Sequence, residues 1–303
     1  MTRSDRGRGR NAGIGARALS RAEAEARFGP ATDPVVVDRV ALFEPVKNGS
    51  PRARARTRVL RTPWGQVRVV GQLTQMHRQA LAAVMAVAEF TEAAEDGSGD
   101  QALRFVADPA RVVRMMRARD PGTGPSWDYG WLVGLLGELV SVRIEIEDGT
   151  APGPRKIVGI AAAVGRYARE VKLGPGRLSH RPDRQRALVY ITLSSAWLDL
   201  WRVYHATHYT RYLPALGRLH PVSAAVAVLC FSQPDGWRIS LDHALQAVGA
   251  WDDRPTAAGR KARSRARLEV RGDVTRLAAL GVRLEDGDQL RYTRPAGVYV
   301  SQP

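Results

Sequence analysis

The chain has 303 residues, 44% of them hydrophobic, so it is long enough for two domains and apolar enough to bury a sizeable core. That composition excludes an intrinsically disordered chain, and the formal net charge of +16 makes a nucleic acid or another anionic surface the expected partner. No apolar run approaches the roughly 20 residues needed to span a bilayer, and the N-terminus has no apolar core of the signal-peptide kind. A cytoplasmic protein without a membrane partner is therefore expected.

The chain begins with a basic segment. Residues 1–34 carry seven arginines among Gly, Ala and Ser and have little to bury, which predicts a flexible basic arm. Such an arm either touches DNA or remains a solvated tail.

Residues 35–196 alternate strand and helix patterns. Strands are predicted for VVVDRVALF and for TRVLRTPWGQVRVVG, which folds back at residues 63–65. A helix over TQMHRQALAAVMAVAEF is expected to end in the loop TEAAEDGSGD, followed by the strand ALRFVA. Asp108 and Ser126 start two further helices, and SVRIEIED, RKIVGIAAAVGRYARE and RALVYITLS read as strands. Three helices followed by a hairpin is the order of a winged-helix domain.

A helical connection, residues 197–218, leads to a second unit of the same order at 219–303. HPVSAAVAVLCFSQ is an apolar helix, with the single cysteine, Cys230, as a buried thiol. RISLDHALQAVGA follows, with Ser240 as N-cap and Gly249 at the C-terminal cap position. A third helix is expected to end at Gly281, and Asp286-Gly287 marks a hairpin. The predicted fold is α+β: two tandem winged-helix (helix-turn-helix) domains with a flexible basic N-terminal arm.

The first half of that third helix is the main candidate site. Five like charges crowd into eight positions with no acidic residue among them, a repulsion that an anionic partner would relieve: Arg260, Lys261, Arg263, Arg265 and Arg267. On a helical wheel Arg260, Arg263, Arg267 and Arg271 share one side, which predicts base contacts there, whereas Lys261 and Arg265 are predicted to hold phosphates. The hairpin adds Arg283, Arg291 and Arg294 as further DNA-binding candidates. The alternative is a basic surface that is merely solvated.

The third helix of the first unit is apolar instead. Trp127, Trp131 and Leu135 lie on it, so it either packs inside the domain or forms an oligomer interface. DNA contacts by this unit are expected from Arg111 and Arg114, from Arg117 and Arg119, or from the basic loop GRLSHRPDRQR, and would position the protein rather than specify a sequence.

Catalysis finds little support in the sequence. YHATHYTRY places His205 and His208 three residues apart in a segment that reads as helical, with no nearby carboxylate to complete a metal site. No H-E-x-x-H or G-x-S-x-G pattern occurs. We therefore expect no enzyme, no cofactor and no metal, with a tyrosine-dependent nicking enzyme as the remote alternative.

The order of elements resembles that of plasmid replication initiators of the TrfA/RepA type. The resemblance covers roughly residues 38–294 and rests on ALFEPVKNGS before GQLTQMHRQAL, on WLVGLLGELVSVRIEIEDG, and on LEVRGDVTRLAALGVRLEDGDQLRYTR after the two helices from HPVSAAVAVLCF to LDHALQAVG. These motifs are helix edges and turns rather than catalytic residues.

The resemblance implies an initiator that binds direct repeats (iterons) in double-stranded DNA at an origin, promotes duplex opening and recruits host initiator and helicase proteins. It also implies that the C-terminal domain reads the repeat, that the N-terminal one serves oligomerisation and backbone contact, and that monomers and homodimers exchange. A winged-helix transcriptional repressor binding an operator shares every DNA-binding feature and stays an open alternative.

Overall fold

The computed structural model describes residues 33–39, 41–46, 57–62, 65–95, 99–116, 129–148, 156–167, 188–203 and 205–301. Helices and antiparallel sheets alternate along these residues, so the expected mixed α+β class is confirmed. The buried side chains form two clusters, one within roughly 37–206 and one largely within 209–298. We call the corresponding parts the N-terminal unit (33–193) and the C-terminal unit (219–301).

The N-terminal unit combines two four-stranded antiparallel sheets with helices, in the strand orders β2-β3-β6-β7 and β4-β5-β9-β8. Its strands are β1 (Asp33–Pro34), β2 (Thr57–Thr62), β3 (Gly65–Val70), β4 (Ala88–Glu95), β5 (Gln101–Ala107), β6 (Arg143–Asp148), β7 (Lys156–Gly159), β8 (Ala161–Tyr167) and β9 (Leu188–Leu193). Its helices are α1 (Val35–Arg39), α2 (Gln75–Val87), α3 (Pro109–Met116) and α4 (Tyr129–Ser141).

Period-two alternation gives the first sheet one dry and one wet face. Val67 pairs with Ile146 and Val69 with Ile144, and Val67, Val69 and Ile144 are almost fully buried. On the opposite face Arg68 pairs with Glu145, with 3.7 Å between guanidinium and carboxylate. The alternation seen in SVRIEIED therefore sets the register, since a one-residue slip would expose the apolar set.

The C-terminal unit packs helices against a small sheet of order β11-β13-β12. Its elements are α7 (Pro221–Phe231), β11 (Arg238–Ser240), α8 (Leu241–Ala247), α9 (Ala257–Gly272), α10 (Val274–Ala279), β12 (Val282–Glu285), β13 (Gln289–Tyr292) and β14 (Tyr299–Ser301). The Ser240 hydroxyl accepts a hydrogen bond from His243 N, and Gly249 has φ +70°, so both predicted caps of α8 are present. Burial raises the pKa of Cys230 in α7 to about 12 and leaves the thiol protonated.

The connection packs one half on each core. It consists of α5 (Ser195–Val203), β10 (Ala206–His208), a 3-10 turn (Thr210–Tyr212) and α6 (Leu213–Leu216). Trp197 in α5 is buried in the N-terminal cluster, whereas Tyr209 and Leu213 are buried in the C-terminal one. A third sheet, of order β1-β10-β14, joins the start of the described chain, the connection and the end. The two units are therefore tied together at three separate points of the sequence.

A buried carboxylate anchors this joint. Asp38 in α1 forms an ion pair with Arg78 of α2 and accepts a hydrogen bond from the Thr207 hydroxyl of β10 at 2.8 Å. Arg39 donates to the carbonyl of Ser232 at 2.7 Å and so reaches the C-terminal unit. Because a buried charge needs a partner, these bonds fix the short helix α1 where it lies.

Several predictions of secondary structure are wrong. VVVDR forms helix α1 rather than a strand, because Pro34 suits the start of a helix and Asp38 is bound by Arg78 and Thr207. Asp33 and Pro34, expected in the arm, form β1. Residues 88–95, expected as the end of a helix and the start of a loop, form strand β4, which pairs with β5 at the edge of its sheet. The third helix of the C-terminal unit breaks at Asp273, whose carboxylate accepts from His220 N at 2.7 Å.

Candidate nucleic-acid interface

Helix α9 starts at a side-chain cap and a close backbone approach. The hydroxyl of Thr256 accepts a hydrogen bond from Gly259 N at 3.2 Å. A Cβ on Gly259 would collide with the carbonyl of Arg254. Position 259 must therefore be glycine for α9 to begin where it does.

The inner face of α9 is built from small and apolar residues. Gly259, Ala266 and Val270 are buried against α7 and α8, and the Ser223 hydroxyl of α7 donates to the carbonyl of Glu269 at 3.3 Å. This spacing of seven and four residues defines which side of α9 faces the core.

Two of the predicted base-contacting arginines turn back onto the protein. Arg263 donates to the carbonyls of Asp252 and Arg254 and lies over the Trp251 ring at 5.4 Å. Arg267 also covers Trp251, at 5.2 Å, and forms two hydrogen bonds to the Asp242 carboxylate, at 2.7 and 2.6 Å. The hydrogen bond from Arg267 lowers the pKa of Asp242. These contacts hold α9 against α8 and its preceding loop.

The outward face of α9 carries Lys261, Ser264, Arg265 and Leu268, all exposed and spaced three or four residues apart. Arg265 has a loose pair with Glu269, at 3.5 Å, and is 79% exposed at its side chain. Lys261 and Arg265, predicted to lie away from the base-contacting side, are thus central to the surface that α9 presents. Arg260 lies at its edge and donates to the carbonyl of Pro255 at 3.0 Å.

Arg271 connects this face to the hairpin. Its guanidinium donates to both carboxylate oxygens of Asp288, at 2.8 and 2.6 Å. Asp288 has φ +56° and lies beside Gly287 in the turn between β12 and β13. The predicted turn at Asp286-Gly287 is therefore present, and its tip lies next to the outward face of α9.

The hairpin sheet carries three arginines side by side. Arg291 of β13 is directly opposite Arg283 of β12 on one side and Arg238 of β11 on the other, and all three are exposed. Neighbouring strands lie about 4.8 Å apart, so like charges in such a row repel one another. Glu285 approaches Arg291 at 3.5 Å but is itself 37% exposed. We call Arg238, Arg291 and Arg283 the arginine row.

Arg238 was missed by the sequence reasoning, which began a helix at that point. The signal was available: R-I-S alternates like a strand and follows the turn residues Asp235 and Gly236. Arg294, by contrast, is half-buried and donates to the carbonyl of Gln233 at 2.8 Å, while its backbone N–H donates to Asp235. Its visible contacts fix the end of β13 to the turn before β11.

The candidate interface residues of the N-terminal unit lie mostly inward. Leu135 is 3% exposed and belongs to the core, and Trp131 is half-buried against it. Leu135 is therefore not a surface residue, because α4 turns its leucines toward the two sheets. Trp127, like Arg117, Arg119 and the loop GRLSHRPDRQR, lies outside the described residues, whereas Arg111 and Arg114 on α3 are exposed.

The two histidines of YHATHYTRY, His205 and His208, both contact Ser301. His208 is fully buried on β10, not on a helix as expected, and its Nε2 lies 3.0 Å from the Ser301 hydroxyl. His205 Nδ1 lies 3.1 Å from the carbonyl of the same serine. Within the described part of the chain no group of three or more His, Cys, Asp or Glu side chains is arranged to hold a metal ion.

Across the described helices, none combines the length and apolar character needed to cross a membrane. No protein-family model matches the sequence, and a comparison with curated proteins finds no match. Among solved structures, the chain is similar to domains 2 and 3 of RctB, with a TM-score of 0.52 at 10% identity. The match covers 87% of this chain and 99% of the RctB chain, so it extends over both units. At this identity the likeness concerns the fold.

Proposed function

We propose that the protein is a replication initiator that binds double-stranded DNA at an origin, mainly through its C-terminal unit. The observation that carries the proposal is the ion pair between Arg271 and Asp288, at 2.6 Å, which makes one continuous surface of α9 and the hairpin tip. This surface displays lysine and arginine on both elements, as a protein that neutralises phosphates requires. The fold shared with two domains of RctB, a replication initiator, supports the same direction.

We interpret the C-terminal unit as a winged-helix domain. Its order is helix α7, strand β11, helices α8, α9 and the short α10, then the hairpin β12-β13, with β13 central in the sheet. In such domains the last long helix enters the major groove and the hairpin forms the wing. The proposed division is an N-terminal winged-helix domain (35–196), a connection (197–218) and a C-terminal winged-helix domain (219–303).

Within this proposal the basic residues have two kinds of role. Lys261, Ser264 and Arg265 face the groove. There lysine and arginine donate hydrogen bonds to guanine, and a serine hydroxyl bonds to either donors or acceptors on the bases. The arginine row binds backbone phosphates beside the groove and is relieved of its own repulsion by doing so. Arg263 and Arg267 position α9, through Trp251 and Asp242, rather than read bases.

The finer functions come from the family resemblance. The target is then a set of direct repeats, the outcome is duplex opening, and host initiator and helicase proteins are recruited afterwards. Monomer and homodimer exchange, with the monomer binding the origin. A transcriptional repressor differs in its target, because a homodimer at an operator reads one inverted repeat.

Selection from a pool of randomised duplexes, followed by footprinting on the DNA that flanks the gene, tests the proposal. We expect one enriched motif, found as several direct copies, and protection of about 20 bp per protomer if both units use successive major grooves on one face. A single inverted repeat at a promoter would assign the repressor role instead. Binding without any enriched motif would contradict sequence reading by α9.

A further inference from the structure

Leu268 is an apolar side chain in the middle of a basic surface. It is 62% exposed, the largest exposed fraction among the large hydrophobic side chains that the structure describes as exposed. It lies on the fourth turn of α9, on the same outward face as Lys261, Ser264 and Arg265, while Ala266 and Val270 lie on the core side. Core packing therefore does not explain why a leucine stands at this position.

The charges around Leu268 decide what can cover it. Lys261, Arg265 and Arg271 surround it at helical spacing, seven and three residues before it and three after it. A second copy of this surface would bring like charges together, which opposes self-association through Leu268. A polyanion with an apolar group between its charges suits the surface instead. In the major groove of DNA, the thymine 5-methyl is the group of that kind.

We propose that Leu268 is a specificity-determining residue that packs on the 5-methyl group of one thymine in the bound repeat. The inference rests on the proposed function, because it requires α9 in the major groove. Leu268 follows Lys261 by seven residues, or about 10 Å along a helix that rises about 1.5 Å per residue. The thymine and the base contacted by Lys261 therefore belong to different base pairs.

Replacing single thymines by deoxyuridine tests this directly, because uracil lacks only the methyl group. The duplex is the motif enriched by the wild-type chain from the randomised pool, and each thymine is replaced in turn. Loss of one buried methyl corresponds to a weakening of about fourfold. We expect that loss at one position for the wild type, and no loss there for Leu268→Ala, whose binding to the thymine duplex is already weaker.

Val274→Ala provides a matched control, since Val274 is an exposed hydrophobic residue on α10, at 38%. It should keep the full response to deoxyuridine. Alanine favours helix at an exposed position, so Leu268→Ala is expected to fold, which circular dichroism verifies. An enriched motif with no Leu268-dependent thymine overturns this inference while leaving the proposed function intact. Self-association lost in Leu268→Ala, with the methyl response unchanged, also overturns it. If no motif is enriched for the wild type, the proposed function itself fails.

Discussion

Helix α4 of the N-terminal unit and helix α9 of the C-terminal unit use their residues in opposite ways. On α4 four leucines are buried, among them Leu136 with no exposed surface, whereas on α9 Leu268 is 62% exposed. On α9 the buried side is made of Gly259, Ala266 and Val270, which are small. A helix that packs through small residues stays close to its neighbours and leaves its long side chains for a partner. A helix that packs through leucines leaves little to present.

The largest effect expected from this contrast concerns stability. Leu136→Ala removes a fully buried side chain from the core between the two sheets and should lower the free energy of unfolding by about 2–5 kcal/mol. Leu268→Ala, the same change on α9, should alter it by less than about 0.5 kcal/mol. Urea unfolding followed by circular dichroism measures both. Equal losses in the two variants would mean that α9 is buried in solution.

The second effect concerns DNA and should appear on α9. Lys261→Ala is expected to weaken binding to the enriched motif more than binding to a scrambled duplex, because the proposed function places Lys261 against a base. If Lys261 holds a phosphate instead, binding to both duplexes weakens alike, and the dependence of log K on log salt flattens by about 0.9. Arg276→Ala is the matched control, because Arg276 is exposed on α10 and pairs locally with Asp273. If the affinity for DNA and its salt dependence change by the same amount in both variants, α9 is a general basic surface.

The smallest effect concerns the support of α9 and depends on pH. The Arg267 hydrogen bond lowers the pKa of Asp242 below its ordinary value of 3.8, so this pair stabilises the fold above that value and stops doing so as pH falls through the lowered pKa. Because Asp242 is 40% exposed, Asp242→Asn should cost less than about 1 kcal/mol at neutral pH.

The difference between Asp242→Asn and the wild type should therefore shrink as the solution is acidified below pH 3.8. Unfolding curves of both proteins over that range measure it. A difference that stays constant with pH would mean that the carboxylate charge is not what holds Arg267.

Local signals account for the parts of the fold that the sequence predicted. Ser240 caps α8, Gly249 ends it with a positive φ, and Gly287 forms the hairpin turn; each needs only its immediate neighbours. Strand β4 was not predicted because AEFTEAAE has few β-branched residues, and the strand forms by pairing with β5. Helix α1 was not predicted because its three valines favour a strand. The contacts that fix it come from Arg78 and Thr207, which lie 40 and 169 positions from Asp38 in the sequence.

The candidate site shows the same division. The sequence located the charge on α9 and the hairpin, but it could not give the direction of each side chain. Arg267 turns inward because it pairs with Asp242, which is 25 residues away in the sequence. The guanidinium groups of Arg263 and Arg267 both lie over the Trp251 ring. Arg238 joins the arginine row through a strand pairing that spans 53 residues. Such contacts depend on tertiary packing, which a helical wheel does not contain.

The arginine row has a consequence for the motion of the hairpin. Three guanidinium groups held in register weaken the pairing of β11, β13 and β12, and the cost falls as ions screen it. Local opening of these strands should then be more frequent in dilute buffer than in salt, so their amide protons exchange faster with solvent there. Under the proposed function, a hairpin loosened in this way samples more orientations before it meets a phosphate backbone and becomes rigid on contact.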